Sequence, residues 1–218
     1  MRAWLTFFAD LLFPPRCVGC GRAKEFLCLA CEDLLRRASL PPEPNVVALY
    51  DYGDRRVRRA IWYLKYRGVH SIAERLTGNL YAVLIEYLAE IDSYYPHAEP
   101  WVLIPVPLHP KRLAERGYNQ AALIARALAA RQPESFDLRE RAVRKIKATK
   151  SQVSQVSREA RAENLKNAFE LTAPAELVGR RVILVDDVYT TGSTLRELAK
   201  TIRAAGAARI VKVALAQG

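Results

Sequence analysis

The stretch VILVDDVYTTGSTL, residues 182–195, decides the fold of this chain of 218 residues. Its first four residues are apolar and predict a buried strand, and the adjacent acids Asp186 and Asp187 follow them. Ligands of open α/β sheets bind at the carboxyl ends of the strands, so we expect both acids to be exposed in a binding site there. Because two adjacent carboxylates repel each other, they need hydroxyl donors or a divalent cation such as Mg²⁺ beside them.

A hydroxyl-rich turn follows the two acids and leads directly into a predicted helix. The turn consists of Thr190, Thr191, Gly192, Ser193 and Thr194. Backbone amides, the positive end of the helix dipole and several hydroxyl groups would meet a phosphate there, and Gly192 permits its close approach. Thr194 and Glu197 also match a helix capping box, which would explain part of the pattern by structure alone. The acids have no such explanation, so the segment predicts a phosphoribosyl-binding site.

Outward from this segment, strands and helices alternate along the chain. We predict strands over residues 46–52, 101–106, 181–186 and 210–215, and helices over residues 54–66, 71–91, 120–130 and 194–205. This order predicts an α/β domain with a mainly parallel, twisted sheet flanked by helices. The connector SLPPEPN, residues 39–45, contains three prolines and divides the chain into a small N-terminal module, 1–44, and a main domain, 45–218.

The four cysteines of the chain form two CxxC pairs within fifteen residues. They are Cys17, Cys20, Cys28 and Cys31. Two such pairs on a short connection can place four thiolates around one Zn²⁺ ion, which would be structural because no coordination position stays open. Disulfides are the alternative, but the expected cytoplasmic setting disfavours them, and a redox CxxC would normally occur singly. The cysteines therefore predict a zinc module whose folding depends on the metal.

The N-terminal stretch MRAWLTFFADLLFPP, residues 1–15, shares only its apolar character with a signal peptide. It has one early arginine, an acid at position 10 and no small-residue cleavage site, so we expect an amphipathic helix docked on the core. No apolar stretch in the chain approaches the roughly 20 residues that a membrane-spanning helix needs. We therefore expect a cytoplasmic protein without a membrane span.

The net charge of +11 is concentrated in two segments. Residues 54–67 carry +5 and residues 139–161 carry +6, whereas the rest of the chain is balanced. Such concentration indicates surfaces that face the phosphates of a small ligand or of nucleic acid, with solvated helix faces as the alternative. The second segment has little periodic apolar content and predicts an exposed, mobile loop.

The first basic segment holds the candidate nucleic-acid contacts. They are Arg55, Arg56, Arg58 and Arg59. Trp62, Tyr63 and Tyr66 alternate with basic residues and could stack on bases of a single strand. Aromatic residues at helical spacing more often pack in a core, and we expect that role here.

A proline-rich stretch presents two further basic residues. The predicted strand 101–106 runs into PVPLHPKR, residues 105–112, in which three prolines lie within six residues. These prolines disfavour a helix, so we expect a stiff loop that presents Lys111 and Arg112 at the end of the strand. For His109, surface hydrogen bonding is favoured over acid–base chemistry. Asn119 should cap the helix that follows.

Residues 182–195 resemble the signature of type I phosphoribosyltransferases, in which the acidic pair binds the ribose hydroxyls and the Thr/Gly/Ser turn binds the 5-phosphate. Other motifs resemble the competence protein F (ComF) family. They are PVPLHPKRLAERGYNQ at 105–120, LKYRG at 64–68, Thr149 with Gln152 and Asn164, and the double CxxC. The likeness covers nearly the whole chain in the same order, and it implies a type I phosphoribosyltransferase fold with an N-terminal zinc module.

This resemblance implies that the ligand is phosphoribosyl pyrophosphate, bound with Mg²⁺. Residues 107–112 would face the pyrophosphate, so that Lys111 and Arg112 would serve catalysis together with Asp186 and Asp187. Residues 147–161 would close over the ligand and bring cations onto the developing pyrophosphate. The candidate contacts in that closing loop are Lys147, Thr149, Lys150 and Gln152.

The resemblance leaves more than one function open. One is an enzyme that displaces pyrophosphate with a nucleophile that the sequence does not reveal. The other is a non-catalytic accessory protein that senses phosphoribosyl pyrophosphate and holds single-stranded DNA. The family implies a setting in DNA uptake and transformation, beside a competence helicase and a recombination mediator. The intact acids and TTGST turn disfavour a third possibility, a regulator with a degenerate site.

Overall fold

The computed structural model describes residues 15–39, 41, 43–94, 99–147 and 165–218. The expected N-terminal helix, most of the closing loop and its candidate contacts Thr149, Lys150 and Gln152 lie outside the described residues. Within the described ranges, no helix combines the length and the apolar character that a membrane crossing requires.

A parallel sheet of five strands lies at the centre of the main domain. Its strands are β1 (Val46–Asp51), β2 (Trp101–Pro105), β3 (Phe136–Leu138), β6 (Arg181–Tyr189) and β7 (Arg209–Gln217). They lie in the order β1-β7-β6-β2-β3, and each neighbouring pair is parallel. Strands covered on both faces are apolar almost throughout, and β2 is buried along its whole length. The predicted α/β fold with a mainly parallel sheet is confirmed.

Helices cover both faces of this sheet. They are α1 (Leu29–Glu32), α2 (Arg55–Arg67), α3 (His70–Tyr94), α4 (Pro110–Arg116), α5 (Gln120–Ala129) and α6 (Ser193–Ala204). Ile183 and Val185 of β6 share a buried cluster with residues of α2, α3 and α5. Val182 and Leu184 share a second buried cluster with residues of α6. Alternate residues of β6 therefore face different helical layers, as the period of two along a strand requires.

Side chains fix the starts of two helices beside the carboxyl edge of the sheet. Asp54 Oδ1 accepts a hydrogen bond from the Arg56 amide at 2.7 Å, and α2 begins there. Asn119 Oδ1 accepts from the Ala121 amide at 3.0 Å, which confirms the predicted cap of α5.

Residues 110–116 form helix α4, so the prediction of a stiff loop around Lys111 and Arg112 is wrong. Pro110 occupies the first helical position, where its missing N–H is not needed and its fixed φ suits a helix. The Lys111 amide donates to His109 Nδ1 at 3.3 Å, which makes His109 the cap of α4. The prolines precede the helix instead of interrupting it.

The described part of the second basic segment is also more ordered than predicted. Strand β4 (Val143–Lys145) pairs in antiparallel register with β5 (Phe169–Leu171). Val143 of β4 and Phe169 of β5 are buried in the apolar cluster that also contains residues of α6, so both short strands pack against the main domain. The expectation of an exposed loop is therefore wrong for residues 143–145, and residues 148–161 lie outside the described ranges.

The N-terminal module packs directly on the main domain. Its buried residues Cys17, Leu27 and Leu35 join the same apolar cluster as α2 and α3. Arg75 of α3 forms ion pairs with Glu25 at 3.1 Å and Glu32 at 3.3 Å. These contacts fix the orientation of the module on the main domain, and the boundary at 44/45 stays a prediction.

Candidate functional site

The two adjacent acids lie inside strand β6, which runs three residues further than predicted, to Tyr189. Because side chains alternate along a strand, Asp187 leaves β6 on the side of α2 and α3, and Asp186 leaves it on the side of α6. Asp187 is buried and Asp186 is partly exposed, so the expectation that both acids are exposed is wrong for Asp187. The two carboxyl groups face different surroundings.

Asp187 is held against a lysine that the site prediction did not include. Lys65 Nζ of α2 lies 2.8 Å from Asp187 Oδ2. Burial acts to lower the pKa of Lys65, but the negative charge of Asp187 outweighs it, and the pKa is raised. The short Nζ–Oδ2 distance and the shared burial make this a charge-assisted contact, and Lys65 is the cation held directly on Asp187 Oδ2.

Asp186 lies within electrostatic reach of Lys65 and of a second lysine, Lys145. Its pKa is raised to about 8, first because protein surrounds the carboxyl group and second because Asp187 is negative beside it. Burial lowers the pKa of Lys145 on β4, the charge of Asp186 opposes that shift, and the charge of Arg112 adds to it. Lys145 and Arg112 therefore lie within electrostatic reach of each other, and Lys145 lies within reach of Asp186.

The acids fit the ligands that the sequence predicts. Asp187 is a buried carboxylate whose one described cation is Lys65, and Asp186 is a carboxyl group whose charged form lacks full compensation. Ribose hydroxyls would donate to both groups, and Mg²⁺ prefers carboxylate oxygens as ligands. Asp186 and Asp187 are thus the residues that would hold a divalent cation or a sugar diol.

The hydroxyl-rich turn lies between β6 and α6, at the same edge of the sheet. Gly192 has a φ of 70° and precedes the first helical residue, and a Cβ there would overlap the ring of Tyr189. Thr191 Oγ1 and Ser193 Oγ are 2.7 Å apart, and either can donate to the other. The first-turn amides of a twelve-residue helix thus open onto a turn with several hydroxyl groups, which suits a phosphate.

The capping box predicted within this turn is wrong. Gly192 is the N-cap of α6 and provides no side chain, and Glu197 Oε1 instead accepts a hydrogen bond from the Asn167 amide at 2.8 Å. Thr194 is partly exposed in the first turn. Thr191 Oγ1 instead accepts from the Ser193 amide at 3.4 Å, so part of the hydroxyl pattern has a local structural role other than the predicted capping box.

Arg196 connects the turn to the proline-rich connector. It donates to the Thr191 carbonyl, to the Tyr189 hydroxyl at 3.3 Å and to Glu43 Oε2 at 3.0 Å. Tyr189 is buried beneath Gly192, so it packs under the turn. Glu43 also forms an ion pair with Lys212 of β7.

Of the remaining candidate residues, Arg112 lines a cleft between α2 and α4. The cleft measures about 360 Å³ and is lined by Lys65, Tyr66, Arg112, Glu115 and Arg116. Arg112 is partly buried in its wall, whereas Lys111 is exposed on the same helix. Lys147, at the start of the predicted closing loop, donates to the Lys166 carbonyl at 2.6 Å.

Helix α2 carries an exposed basic and aromatic stripe. It consists of Arg55, Arg56, Arg58, Arg59, Trp62 and Tyr66. Trp62 and Tyr66 are 46% and 60% exposed, so the expectation that they pack in the core is wrong, and only Tyr63 lies partly buried against the core. The buried face of α2 uses Val57, Ala60, Ile61 and Leu64, which turns Trp62 and Tyr66 outward.

The four cysteine sulfurs converge, and the residues fit zinc. All four Sγ atoms lie within 4.8 Å of one another. Sulfurs that bind one zinc ion at about 2.3 Å are about 3.8 Å apart, and the distances from Cys28 Sγ to Cys17 Sγ and Cys20 Sγ are 3.6 Å and 3.8 Å. A Cβ on Gly19 would lie 2.6 Å from Cys31 Sγ, so a glycine is needed there. Four thiolates would close the coordination sphere of such an ion.

Comparison with known proteins identifies the family of the chain. Residues 77–217 match the model of the phosphoribosyl transferase domain. The chain belongs to the phosphoribosyltransferase family. Within it, competence protein F of Haemophilus influenzae is 34% identical over 199 residues, which cover 90% of this chain and 82% of that protein. The predicted membership of the ComF family is confirmed.

Two further similarities lie within the same family. DNA utilization protein YhgH of Escherichia coli is 31% identical over 194 residues, which cover 89% of this chain and 80% of that protein. Among solved structures, hypoxanthine phosphoribosyltransferase of Trypanosoma cruzi is similar with a TM-score of 0.42 and 16% identity, and the match covers 66% of each chain.

Sequence reasoning did not single out three residues that lie at this candidate site. Lys65 lies in the LKYRG motif and in the basic segment 54–67, where no local signal distinguishes it from a lysine that faces solvent. Lys145 stood in the second basic segment without a distinguishing signal. Glu43 stood in the connector, 153 positions from its partner Arg196, and no local pattern joins two such residues.

Proposed function

We propose that this chain binds phosphoribosyl pyrophosphate with Mg²⁺ between β6 and α6 and transfers the phosphoribosyl group to an acceptor. One observation carries the proposal: the acid pair and the hydroxyl-rich turn follow each other at one edge of the sheet, on the segment Asp186–Thr194. A carboxylate pair suits the ribose hydroxyls, and the start of α6 suits the 5-phosphate.

The pyrophosphate would lie toward the cations on the α4 and β4 side. Arg112 and Lys145 are both partly buried, and Lys145 lies within electrostatic reach of both Asp186 and Arg112. In the transfer, the bond between C1 of the ribose and the pyrophosphate oxygen breaks, the acceptor nucleophile bonds to C1, and the acceptor gives up a proton. Positive charge at Arg112 and Lys145 would stabilise the leaving pyrophosphate. Mg²⁺, when bound, would neutralise further charge on the same group.

We place this chemistry in the handling of DNA. Similar proteins are named competence protein F and DNA utilization protein, which supports a role in DNA uptake and transformation. The stripe on α2 provides guanidinium groups for phosphates and exposed rings for bases, which suits single-stranded DNA. A competence helicase and a recombination mediator are the partners that this role implies.

Calorimetry with phosphoribosyl pyrophosphate and Mg²⁺ tests the binding site. Replacing Asp186 by Asn removes an acceptor for the ribose hydroxyls and should weaken binding between about tenfold and hundredfold. Asp33→Asn is the matched control, because Asp33 is an exposed acid on the N-terminal module. Equal affinity of Asp186→Asn and wild type would show that the ligand binds elsewhere.

The second candidate function is a non-catalytic accessory protein that senses phosphoribosyl pyrophosphate. Lys145 favours it as much as it favours catalysis, because a partly buried cation also retains an intact ligand. Pyrophosphate release, measured with and without single-stranded DNA, separates the two functions. An enzyme should release pyrophosphate in amounts that exceed the protein, whereas an accessory protein should bind the ligand and return it unchanged.

A further inference from the structure

Lys65 is a cation that the chain itself places on the acid pair. Its ammonium lies 2.8 Å from Asp187 Oδ2, and the two side chains are 24% and 6% exposed. An isolated buried carboxylate costs much free energy, and a single nearby cation relieves that cost. In the ligand-free protein, Lys65 therefore supplies the positive charge that a divalent cation would otherwise supply at Asp187.

The last turn of α2 is anchored so that Lys65 faces the acid. The Tyr118 hydroxyl donates to the Leu64 carbonyl at 2.8 Å and accepts from the Gly68 amide at 2.8 Å. Gly68 ends the helix with a φ of 61°, and a Cβ there would lie 3.2 Å from the Tyr118 ring. One hydroxyl group thus holds both sides of the turn that carries Lys65.

Tyr118 is itself held by the segment that follows α4. The neighbouring Asn119 caps α5 and donates through Nδ2 to the Val106 carbonyl at 3.0 Å, directly after β2. The motifs LKYRG and RGYNQ are therefore joined at Tyr118 and Gly68. Together they position Lys65, which gives both motifs a physical reason that the ligand contacts alone do not provide.

Lys65 also lines the cleft between α2 and α4. The other charged residues in its lining are Arg112, Arg116 and Glu115, so positive charge is in excess. Arg112 is partly buried and forms neither a hydrogen bond nor an ion pair with any described residue. An anion that enters this cleft would meet Arg112 and would find the Lys65 ammonium at the boundary between the cleft and Asp187.

We propose that, until the ligand binds, the Lys65 ammonium neutralises the Asp187 carboxylate in place of a divalent cation. When the ligand binds, this ammonium leaves Asp187 and pairs with an anionic group of the ligand in the cleft. The ribose hydroxyls take over Asp187 as hydrogen-bond donors. The ligand part of this inference rests on the proposed function, whereas the exclusion of free metal depends on the ion pair alone. The consequence is an order of binding, in which the divalent cation enters with the ligand and not before it.

Titration of zinc-loaded protein with Mn²⁺ alone, followed by the electron paramagnetic resonance of free Mn²⁺, tests the exclusion. Wild type should show weak binding, and Lys65→Met should bind at least about tenfold more tightly, because the Asp187 carboxylate is then left for the ion. Adding Asp187→Asn to Lys65→Met should abolish the gain. Lys200→Met, an exposed lysine on α6, is the matched control and should behave as wild type.

Wild-type binding of Mn²⁺ as tight as that of Lys65→Met would overturn the proposal. Lys65→Arg keeps the charge and should still exclude Mn²⁺, so the experiment remains decisive if Lys65→Met does not fold: tight Mn²⁺ binding by Lys65→Arg would then count against the proposal.

Nuclear magnetic resonance of the lysine ammonium groups tests the exchange in wild type, with Lys65→Arg identifying the signal. Saturation with phosphoribosyl pyrophosphate and Mg²⁺ should shift the Lys65 signal, and an unchanged signal would overturn the exchange. Failure of that ligand to bind wild type in calorimetry would instead overturn the proposed function and leave the Mn²⁺ result standing.

Discussion

The cysteine cluster and the acid pair both gather groups that become negative, but they neutralise that charge differently. At the acid pair the chain supplies lysines, with Lys65 on Asp187 and Lys145 near Asp186. At the cysteine cluster, burial and the neighbouring thiols raise the pKa of Cys31 to about 12. Burial acts the same way on Cys17, but amide hydrogen bonds from Cys28, Cys20 and Gly19 outweigh it and lower its pKa to about 6.

This difference distinguishes a metal that would stabilise the fold from a metal that would bind only together with the ligand. Four thiolates cannot coexist in the cluster without a cation, so we expect the N-terminal module to be stabilised by a metal such as zinc. The acid pair already has cations from α2 and β4, so the main domain should fold without a divalent ion. A metal at the acid pair would therefore belong to the ligand and not to the fold.

The largest expected effect tests the cysteine side of this comparison. Removing zinc from reduced protein with a chelator should lower the melting temperature by about 10 °C, since a structural zinc contributes several kcal/mol. Metal analysis before treatment should give one zinc per chain. The melting temperature of Asp186→Asn should fall by as much as that of wild type on chelation, because this substitution lies at the acid pair and not at the cysteine cluster. An unchanged melting temperature after chelation, with no zinc in the purified protein, would contradict the zinc module.

The next effect separates the two acids by the sign of their contribution to stability. Asp187→Asn should lower the free energy of unfolding by about 1–3 kcal/mol, because it leaves Lys65 largely buried without its partner. Asp186→Asn should leave it unchanged or raise it, because it removes a carboxyl group whose charged form is not fully compensated. Urea unfolding of zinc-loaded protein measures both values. Greater destabilisation by Asp186→Asn would show that the lysines are assigned to the wrong acid.

A smaller effect appears in the pH dependence of stability. The folded pKa of Asp186 is about 8, whereas an unfolded aspartate titrates near pH 4. Between these values the folded protein holds a proton that the unfolded chain has released. The free energy of unfolding should therefore fall as pH rises from about 5 to 8, by at most about 1.4 kcal/mol per pH unit.

Asp186→Asn isolates this contribution from the other titrating groups. The difference between wild type and variant, measured by urea unfolding at several pH values without divalent ions, should carry the slope. A flat difference across this range would mean that Asp186 is already charged in the folded protein.

Helix α2 contacts both the N-terminal module and the acid pair. The smallest expected effect is on the salt dependence of its binding to single-stranded DNA. Each phosphate contact with a single strand adds about 0.7 to the slope of log affinity against log salt, so replacing Arg55, Arg58 and Arg59 by Ala should flatten that slope by about two. Arg56 is kept because it donates to the Leu34 carbonyl of the N-terminal module. Binding of a fluorescent single strand at several salt concentrations measures the slope.

Two controls relate this effect to the comparison. Arg203→Ala, an exposed arginine at the far end of α6, should leave the slope unchanged, and so should Asp186→Asn. If the triple variant keeps the wild-type slope, the stripe on α2 does not contact DNA.

Local patterns were sufficient to predict four of the five strands of the parallel sheet, but not β3. Apolar runs mark β2 and β6, and Asn119 marks the start of α5, because each of these signals depends only on neighbouring residues. The prediction for Lys111 and Arg112 failed at the same local level. Proline disfavours the interior of a helix but is tolerated at its first position, and Pro110 occupies that position in α4.

The partners of the two acids could not be predicted in this way. Lys65 and Asp187 belong to different elements, and their contact depends on how α2 packs over the sheet. The outward position of Trp62 can be predicted from the sequence, because Val57, Ile61 and Leu64 define the buried face of α2 and Trp62 lies off that face. Composition alone cannot separate a charge that faces solvent from one that completes a site.

The bond between Glu43 and Arg196 changes how the chain should be divided. By sequence, Glu43 belongs to the connector, yet it neutralises Arg196 beneath the hydroxyl-rich turn and Lys212 of β7. A truncated protein that starts at Asn45 would lose the zinc module and that carboxylate together. Any change in its ligand binding would then have two causes. Truncation just before Glu43 would keep the turn neutralised, so that the contribution of the module is measured by itself.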